Sequence, residues 1–415
     1  MKESNHAASA LFIKAVGLHV SNQFDAAEKL YQQVLAMEPG HYEALNNLGL
    51  ALLEQGRLAE AGALIRQALQ LRPDSADALF NLCKVLIDEG SYELAIARLD
   101  QILAQTPADP EANLAMAFAV EQKGAFDDAE EHYHEAAQFS TALGLTRLIA
   151  FGREFYELIS RPRVPFSQPG VRAELRTGGA KYVVAVSCDM RYFRKYCPTL
   201  LASLRGTGDD FLLHLHLIGP DQAFEDGLPA LLNNSGLPNM IVSTELIPDY
   251  VSGEKDRGTY FACARFLHLS HWLQHYGLPV LAIDADAVVE GPLHDLVTAS
   301  KEHDVGLYFR HPRRAPWLDI CAGAVVANPT ADAIDYFAQV AAYIGHHLRH
   351  GGAYWHLDQI GLYCTLTMRR RFGGALRVAN IKDSADRLLW QIGQSYDHKL
   401  LEERYTRHLS PPPAG

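Results

Sequence analysis

The chain has 415 residues, of which 48% are hydrophobic and 21% are charged. At about 150 residues per domain this length predicts two or three folded domains, and the composition excludes a disordered chain. The net charge is −12, and residues 1–141 carry the whole excess with 9 basic and 21 acidic side chains, which excludes a general nucleic-acid binder.

The start of the chain mixes charged residues with short apolar stretches. Lys2, Glu3, His6 and Lys14 interrupt it, so we expect no secretory signal, and no window reaches the ~18 apolar residues of a membrane span. The six cysteines form neither a CxxC pair nor a zinc-type spacing: Cys83, Cys188, Cys197, Cys263, Cys321 and Cys364. We therefore expect mostly buried, reduced thiols and a cytoplasmic protein.

A repeat with a step of 34 residues fills the first third of the chain. Three columns recur at this step: Gly56, Gly90 and Gly124; Ala27, Ala61, Ala95 and Ala129; Pro39, Pro73 and Pro107. Within one unit, Leu45, Leu48 and Leu52 form an apolar stripe that ends at Gly56, which predicts a helix. A second helix then runs to the proline. Small residues such as Gly49 let the two helices of a pair approach closely.

These columns resemble the tetratricopeptide repeat, in four copies over residues 6–141. The fourth copy departs from the pattern, with Asn113 where a leucine belongs. Apolar residues then predict a capping helix over 142–160. The resemblance implies a concave face that binds a protein or peptide partner, or a neighbouring domain of the same chain. Self-association of the chain is a separate expectation. Asn47 and Asn81 occupy equivalent positions there, and either hydrogen-bond an extended backbone or are simply common at this position.

The second domain is predicted to begin at Lys181. Residues 161–180 contain three prolines and three glycines, which favours a linker. Beyond it, short apolar runs alternate with helical stretches, at Tyr182–Ser187, Leu212–Ile218, Met240–Ile247, Val280–Ile283, Val305–Phe309 and Ala322–Ala327. This pattern predicts an α/β domain over 181–408, with a mainly parallel sheet and ligand-binding residues beyond the carboxyl ends of its strands.

The apolar run Val280–Ile283 ends in Asp284, Ala285 and Asp286. Strand alternation predicts both carboxylates on one side, where they repel each other unless a cation or donor compensates them. A divalent cation that bridges the pair to a diphosphate would do so. Asp-x-Asp pairs also arise by chance, so a purely structural role is the alternative.

From this point the domain resembles the GT-A glycosyltransferases, particularly the branch of glycogenin and the bacterial lipopolysaccharide galactosyltransferases. The resemblance covers about residues 181–400 and implies a Rossmann-like nucleotide-diphospho-sugar transferase. Its first element is AVSCDMRYF, where Ser187, Asp189 and Tyr192 match residues that hold the nucleoside. Asp189 alternatively caps the next helix.

Two further elements carry the resemblance around the Asp-x-Asp strand. The helix TYFACARFLHLSHWL places Arg265 amid apolar residues, and relatives use an arginine here to contact the donor; a structural salt bridge is the alternative. The strand DICAGAVVANP contains Gly323 among small residues that leave room for a sugar ring, and Ala285 completes the donor-contacting set.

The last elements concern the transferred sugar and the metal. Asp358 and Gln359 match an Asp-Gln pair that touches the sugar in relatives, and Trp355 either stacks on the sugar or packs in the core. In WQIGQSYDHK the resemblance points to His398 as a third metal ligand and Lys399 as a phosphate ligand. The histidines His346, His347 and His350 predict a solvated helix end instead.

We therefore expect a metal-dependent hexosyltransferase that uses Mn or Mg and a nucleotide sugar, with UDP-sugar favoured. Resemblance to the retaining branch favours retention; an inverting enzyme would need a base, for which Asp358 and Asp319 are candidates. A repeat scaffold or adaptor with a catalytically silent transferase-like domain is the alternative. Nucleotidyl transfer is disfavoured because no glycine-rich phosphate loop follows the first strand.

Overall fold

A computed structural model describes residues 2–161, 169–208, 210–310 and 318–391. The chain forms two compact units, Met1–Arg147 and Leu148–Gly415. Each unit has its own hydrophobic core.

The first unit is a series of helix pairs, in which each helix packs on the next along the chain. The helices are α1 (Lys2–Val20), α2 (Phe24–Met37), α3 (Tyr42–Glu54), α4 (Leu58–Leu71), α5 (Ala76–Asp88), α6 (Tyr92–Gln105), α7 (Pro110–Gln122) and α8 (Phe126–Phe139). The four predicted helical repeats are confirmed.

The glycine column lies in the turn inside each helix pair. Gly56, Gly90 and Gly124 have φ of +77°, +74° and +80°, and Asn22 occupies the same place in the first pair with φ +57°. Residues with a Cβ are strained in this left-handed region, which glycine and asparagine tolerate best. Glycine therefore recurs every 34 residues because the turn inside each helix pair requires a left-handed backbone conformation.

The small-residue column allows the two helices of a pair to touch. A Cβ added at Gly49 would lie 2.6 Å from Cγ1 of Ile65 and 3.2 Å from the carbonyl oxygen of Ala61. Such distances are shorter than carbon contacts allow. The predicted close approach of α3 and α4 is therefore confirmed.

Both singled-out asparagines of the repeats bond within the first unit. Asn81 is 7% exposed and its Nδ2 donates to Oδ1 of Asn46 at 3.1 Å, while Asn47 hydrogen-bonds Tyr31. Their contacts favour a role in helix packing over one in binding an extended backbone. Asn113, which replaces a leucine, is likewise buried and donates to the carbonyl oxygen of Pro107 at 2.9 Å.

The second unit contains an eight-stranded mixed sheet in the order β1-β4-β3-β2-β5-β8-β7-β9. The strands are β1 (Gly170–Arg176), β2 (Tyr182–Asp189), β3 (Phe211–Ile218), β4 (Asn239–Glu245), β5 (Val280–Ile283), β6 (Ala287–Val289), β7 (Val305–Phe309), β8 (Ile320–Ala327), β9 (Val378–Asn380) and β10 (Leu389–Gln391). Strands β4, β3, β2 and β5 are parallel, and β8 runs antiparallel to β5 and β7. Strands β6 and β10 form a separate two-stranded sheet.

Helices connect these strands and cover the sheet. They are α9 (Arg153–Ser160), α10 (Met190–Arg205), α11 (Gln222–Asn234), α12 (Glu254–Tyr276), α13 (His294–Ala299), α14 (Ala331–Arg349), α15 (Leu357–Phe372) and α16 (Lys382–Leu388). Val184, Val186 and Cys188 of β2 pack in one core with Leu200 and Leu204 of α10. Because strand side chains alternate, the intervening residues of β2 face the other side, where α12 packs.

The predicted linker over 161–180 needs a correction. Residues 170–176 form β1, which pairs antiparallel with β4, so the sheet begins before Lys181. The misleading signal was the proline and glycine content on both sides of a strand only seven residues long. Strand β4 also ends at Glu245, two residues before its predicted end.

The predicted capping helix over 142–160 is also wrong as a single element of the repeats. The segment contains a 3₁₀ helix (Thr141–Leu148) and then α9. Residues from Leu148 onward belong to the second unit, where Oγ of Ser160 accepts from Nε2 of Gln339 at 2.9 Å. The apolar periodicity of α9 reflects its packing against α14 and α15.

All six cysteines are buried, and none of them forms a disulfide in the described ranges, as the sequence predicts. Among the helices that the structure describes, none has the length and hydrophobicity to cross a membrane.

Candidate functional site

Open α/β sheets have a crevice beyond the carboxyl ends of their strands where the strand order reverses, and in this sheet that place is at the ends of β2 and β5. From β2 the chain continues to β3 and β4 on one side, whereas β5 pairs with β2 on the other. The crossovers thus leave in opposite directions at this point, which is where open α/β sheets bind ligands. Of the predicted residues, Ser187 and Asp189 lie at the end of β2, and Asp284 and Asp286 directly follow β5.

Asp189 ends β2 and caps α10. Its Oδ1 accepts from the backbone nitrogen of Tyr192 at 2.8 Å, which confirms the capping role that the sequence left open; its contact with a nucleoside stays a prediction. Ser187 lies two residues earlier on the side of β2 that faces α12. Its side chain is 4% exposed and Oγ has no hydrogen-bond partner among the described residues.

Asp284 and Asp286 lie in a turn between β5 and β6. The backbone nitrogen of Ala287 donates to the carbonyl oxygen of Asp284 at 3.2 Å, and Ala285 between the two acids is buried. The strand alternation invoked from the sequence does not apply, because β5 ends at Ile283. Both aspartates are partly exposed, so the turn presents them to the crevice edge while its alanine packs inward.

The carboxylates at the ends of β2 and β5 all raise the pKa of one side chain, Tyr192. Burial raises the pKa of Tyr192, and the charges of Asp286, Asp189 and Asp284 raise it further. Tyr192 is 41% exposed, so this acidic group of residues borders solvent. Several carboxylate oxygens at one partly exposed edge fit a hard divalent cation such as Mg²⁺ or Mn²⁺.

Arg265 of α12 is 3% exposed and bonds to three elements of the site. Its Nη1 lies 2.6 Å from Oδ1 of Asp284, and Nη2 lies 2.9 Å from the carbonyl oxygen of Ala322 and 3.7 Å from Oδ2 of Asp358. Burial alone would lower the pKa of Arg265, but the two carboxylates raise it above its ordinary value. The salt bridge that the sequence offered as an alternative is therefore present, and donor contact stays a prediction.

Asp358 lies in the first turn of α15 and is 6% exposed. Burial raises its pKa to about 6, against the opposing effect of Arg265, and the charge of Asp284 adds to the rise. Its Oδ1 accepts from the backbone nitrogen of Gln359 at 2.9 Å, and Nε2 of Gln359 lies 2.9 Å from Nδ1 of His356. The predicted Asp-Gln pair is therefore held in place at a helix start.

Gly323 is buried on β8 directly beside the acidic turn. Its carbonyl oxygen accepts from the backbone nitrogen of Asp284 at 3.3 Å. Trp355 is 61% exposed, which excludes the core role and leaves its indole accessible to a ligand. Asp319 is partly buried, and its carbonyl oxygen accepts from the backbone nitrogen of Arg310 at 2.8 Å.

Two predicted ligands and one predicted helix end remain. His398 and Lys399 lie outside the described residues, so their roles stay predictions. His346, His347 and His350 are at the end of α14, as predicted, and only His350 is exposed. The rings of His346 and His347 instead pack near Phe155 of α9.

Sequence reasoning missed a second polar group on the α12 side of the sheet. His216 of β3 pairs in register with Ser187 of β2 and Ser243 of β4, and it approaches Glu245 and His268. The available signal was the alternation of His214 and His216 within an apolar strand. Alternation places two polar side chains on one buried face, where they need partners.

Comparison with known proteins bears on the first unit. Family models of the tetratricopeptide repeat match residues 20–76, 52–117 and 86–139. The N-terminal region therefore consists of tetratricopeptide repeats. These matches leave the α/β unit uncovered, and no curated protein matches the chain.

The solved structures that resemble part of the chain include two that are described as TPR proteins. A thermophilic TPR protein of Thermus thermophilus is 18% identical over 34% of this chain and 79% of its own, with a TM-score of 0.32. YrrB, described as a TPR protein with an unusual peptide-binding site, is 18% identical over 33% and 73%, with a TM-score of 0.29. MamA of Desulfovibrio magneticus is 21% identical over 34% and 84%, with a TM-score of 0.31.

Proposed function

We propose that this protein is a metal-dependent glycosyltransferase that moves a sugar from a nucleotide diphosphate donor. The observation that carries the proposal is the acidic turn at the strand-order reversal, where Arg265 bonds Asp284 and the charges of Asp189, Asp284 and Asp286 all act on Tyr192. A polar crevice at this place of an α/β sheet is suited to a nucleotide. The GT-A resemblance of the second unit supports the same assignment.

The proposed leaving-group site consists of Asp284 and Asp286. A divalent cation bound there would neutralise charge on the departing diphosphate. Arg265 holds the Asp284 carboxylate at 2.6 Å, so that the carboxylate does not need to be ordered on binding. We assign His398 and Lys399 as further ligands of the cation and phosphate on the resemblance alone.

The nucleoside and sugar sites follow from the same crevice. Ser187 offers a buried hydroxyl without a described partner, which a polar group of the nucleoside would satisfy. Asp189 and Tyr192 border the proposed nucleoside site. Ala285 lies within the acidic turn, and the carbonyl oxygen of Gly323 accepts from the backbone nitrogen of Asp284. Asp358 and Gln359 would bind hydroxyls of the transferred sugar, and UDP is the favoured nucleotide.

The first experiment measures metal-dependent release of free nucleotide. Full-length protein is incubated with UDP- and GDP-sugars, with and without Mn²⁺. We expect release with Mn²⁺ only, and its loss in Asp286→Asn. The matched control is Asp295→Asn, because Asp295 is 53% exposed on α13 and is not part of the crevice.

Asp286 is the sharper substitution of the pair, because Asp284→Asn also removes a partner of the buried Arg265. If Asp286→Asn releases nucleotide as fast as the control, the assignment of the acidic turn is wrong. If no donor is turned over but UDP still binds calorimetrically, the second unit binds nucleotide without transferring sugar.

A protein-interaction scaffold is the second candidate function, and the tetratricopeptide repeats favour it. The acidic excess of residues 1–141 suits a basic peptide segment as partner. Salt-sensitive capture of basic over acidic model peptides by the full chain, together with no nucleotide binding, would support the scaffold over the enzyme. Capture together with turnover would make the repeats the recruiting part of a transferase.

A further inference from the structure

Three ionisable side chains from three elements meet under α12. They are His216 of β3, Glu245 at the end of β4 and His268 of α12. Nε2 of His268 lies 2.8 Å from Oε2 of Glu245, and Nε2 of His216 lies 3.3 Å from Oε1. One ligand atom from each residue falls within 4.8 Å of the others. This cluster, which we call the His-Glu-His cluster, is separate from Asp284 and Asp286.

The His-Glu-His cluster is closed to solvent. The side chains of His216, His268 and Glu245 are 0%, 2% and 6% exposed. Despite this burial, Nε2 of His216 makes no hydrogen bond of good geometry among the described residues, and its nearest polar contact is the ion-pair distance of 3.3 Å to Oε1 of Glu245. A buried polar atom in this state costs free energy unless some group satisfies it.

Surrounding polar groups orient the cluster. Oγ of Ser243 lies 2.9 Å from Nδ1 of His216 and 2.7 Å from Nε2 of His214. The hydroxyl of Tyr260 donates to Oε1 of Glu245 at 2.9 Å. Contacts at Nδ1 leave Nε2 of His216 directed at the carboxylate, which is the way outer partners orient histidines that bind metals.

The contacts of the cluster converge on one carboxylate. Both histidines direct a ring nitrogen at Glu245, one at each of its oxygens, so a single cation placed between the three side chains could reach all of them.

We propose that His216, Glu245 and His268 form a structural zinc site. Two imidazole nitrogens and both carboxylate oxygens of Glu245, of which Oε1 lies near His216 and Oε2 near His268, supply the four donor atoms of a closed Zn²⁺ site. Zn–N bonds of about 2.0–2.1 Å in a tetrahedron hold ligand atoms about 3.3 Å apart. The His216–Glu245 separation already has this value. The His268–Glu245 pair must open slightly, and the cation replaces the proton between those two side chains.

Its place in the fold makes the site structural. It joins two adjacent strands to the helix that carries Arg265, and its burial leaves no open position for a substrate. Since the ion binds only the folded chain, it stabilises the fold. Replacement of a proton also makes the affinity fall at acid pH.

The test measures zinc in the full-length protein. Metal is removed by a chelator at mildly acidic pH, Zn²⁺ is added back at neutral pH, and bound zinc is determined by mass spectrometry after a chelating resin. We expect one equivalent per chain and a higher Tm for the zinc-loaded form. His216→Gln/His268→Gln should lose both effects.

The matched control removes two other histidines. His346 and His350 stack with ring centroids 4.3 Å apart, so His346→Gln/His350→Gln tests whether any histidine pair accounts for the zinc. This variant should still bind one equivalent of zinc per chain. Asp286→Asn should also bind it, which distinguishes the zinc site from the metal site of the proposed transferase. Equal zinc in the cluster variant and the wild type would overturn the proposal.

A second measurement does not depend on the folding of a variant. Wild-type protein freed of metal is titrated with Co²⁺, whose visible absorption is intense in four-coordinate sites. Saturation at one equivalent, reversed by Zn²⁺, supports the site. Absence of that absorption together with an unchanged Tm on addition of Zn²⁺ would overturn it.

Discussion

Arg265 and Asp284 form an ion pair in which Nη1 lies 2.6 Å from Oδ1. The pair links a buried position on α12 to the partly exposed turn after β5. The Asp284 side chain is 29% exposed, whereas that of Arg265 is 4% exposed. The acidic turn is therefore positioned from inside the protein, while its outer oxygens border the crevice.

We predict that Arg265→Met destabilises the second unit. The substitution leaves Asp358 buried without its nearest cation, and removal of one partner of a buried pair costs about 3 kcal/mol. Urea unfolding at neutral pH measures this loss. The double variant Arg265→Met/Asp358→Asn should recover most of it, because no uncompensated buried charge remains. Equal losses in the single and double variants would contradict the pairing.

The pH profile of sugar transfer should report Asp358. Burial raises the pKa of this carboxyl to about 6, so it is protonated below that pH and ionised above it. If the ionised form accepts a sugar hydroxyl, kcat/KM rises as the pH rises through about 6. The variant Asp358→Asn should not show this rise of kcat/KM with pH. Asp319→Asn should keep it, and the reverse result would identify Asp319 as the titrating group.

Acid unfolding should report Glu245. Its pKa is lower in the folded protein than in the unfolded chain, so its contribution to stability is present above the unfolded value and is lost as the pH falls below it. In metal-free protein, Glu245→Gln should make the acid limb of stability shallower by up to about 1.4 kcal/mol per pH unit.

The control for this measurement is Glu302→Gln, because the side chain of Glu302 is 81% exposed. Unfolding free energies are compared from about pH 6 down to about pH 3, the range in which a carboxylate with an ordinary pKa begins to be protonated. If both variants follow the wild-type slope, Glu245 is not held ionised by its histidines.

The repeat turns allow a substitution test of backbone strain. Gly90 has φ +74°, and a Cβ there would meet no described atom within 4 Å. Gly90→Ala should therefore cost about 1 kcal/mol through conformation alone. Gly90→Asn should cost less, because Asn22 adopts the same conformation at the equivalent turn. Thermal unfolding of both variants compares the two, and equal costs would contradict this reasoning.

Much of the second unit could be predicted from apolar runs, since all six expected strands overlap the observed ones with ends within two residues. Strand β1 was missed although residues 171–176 alternate between apolar and charged side chains, because the prolines and glycines around them indicated a linker. Its hydrogen bonds are to β4, more than sixty residues away, and a local pattern carries no record of such pairing.

The residues of the candidate site could be chosen from the sequence, but their exposure could not be judged from it. Asp284, Asp286 and Asp358 could be singled out by residue type and position, and the structure brings Asp284 and Asp358 to one guanidinium. The exposure of Trp355 and the burial of Asn81 could not be judged, because exposure depends on which elements cover a position.

Local sequence was sufficient for the 34-residue repeat, the turns that require a left-handed residue, and the alternation of strands and helices. These features depend on neighbours along the chain, where helix and strand periods leave a direct pattern. The meeting of His216, Glu245 and His268, and the bond from Arg265 to Asp284, emerge only in three dimensions. Both groups join elements distant in sequence, and their ionisation depends on burial and neighbouring charge, which the folded chain alone supplies.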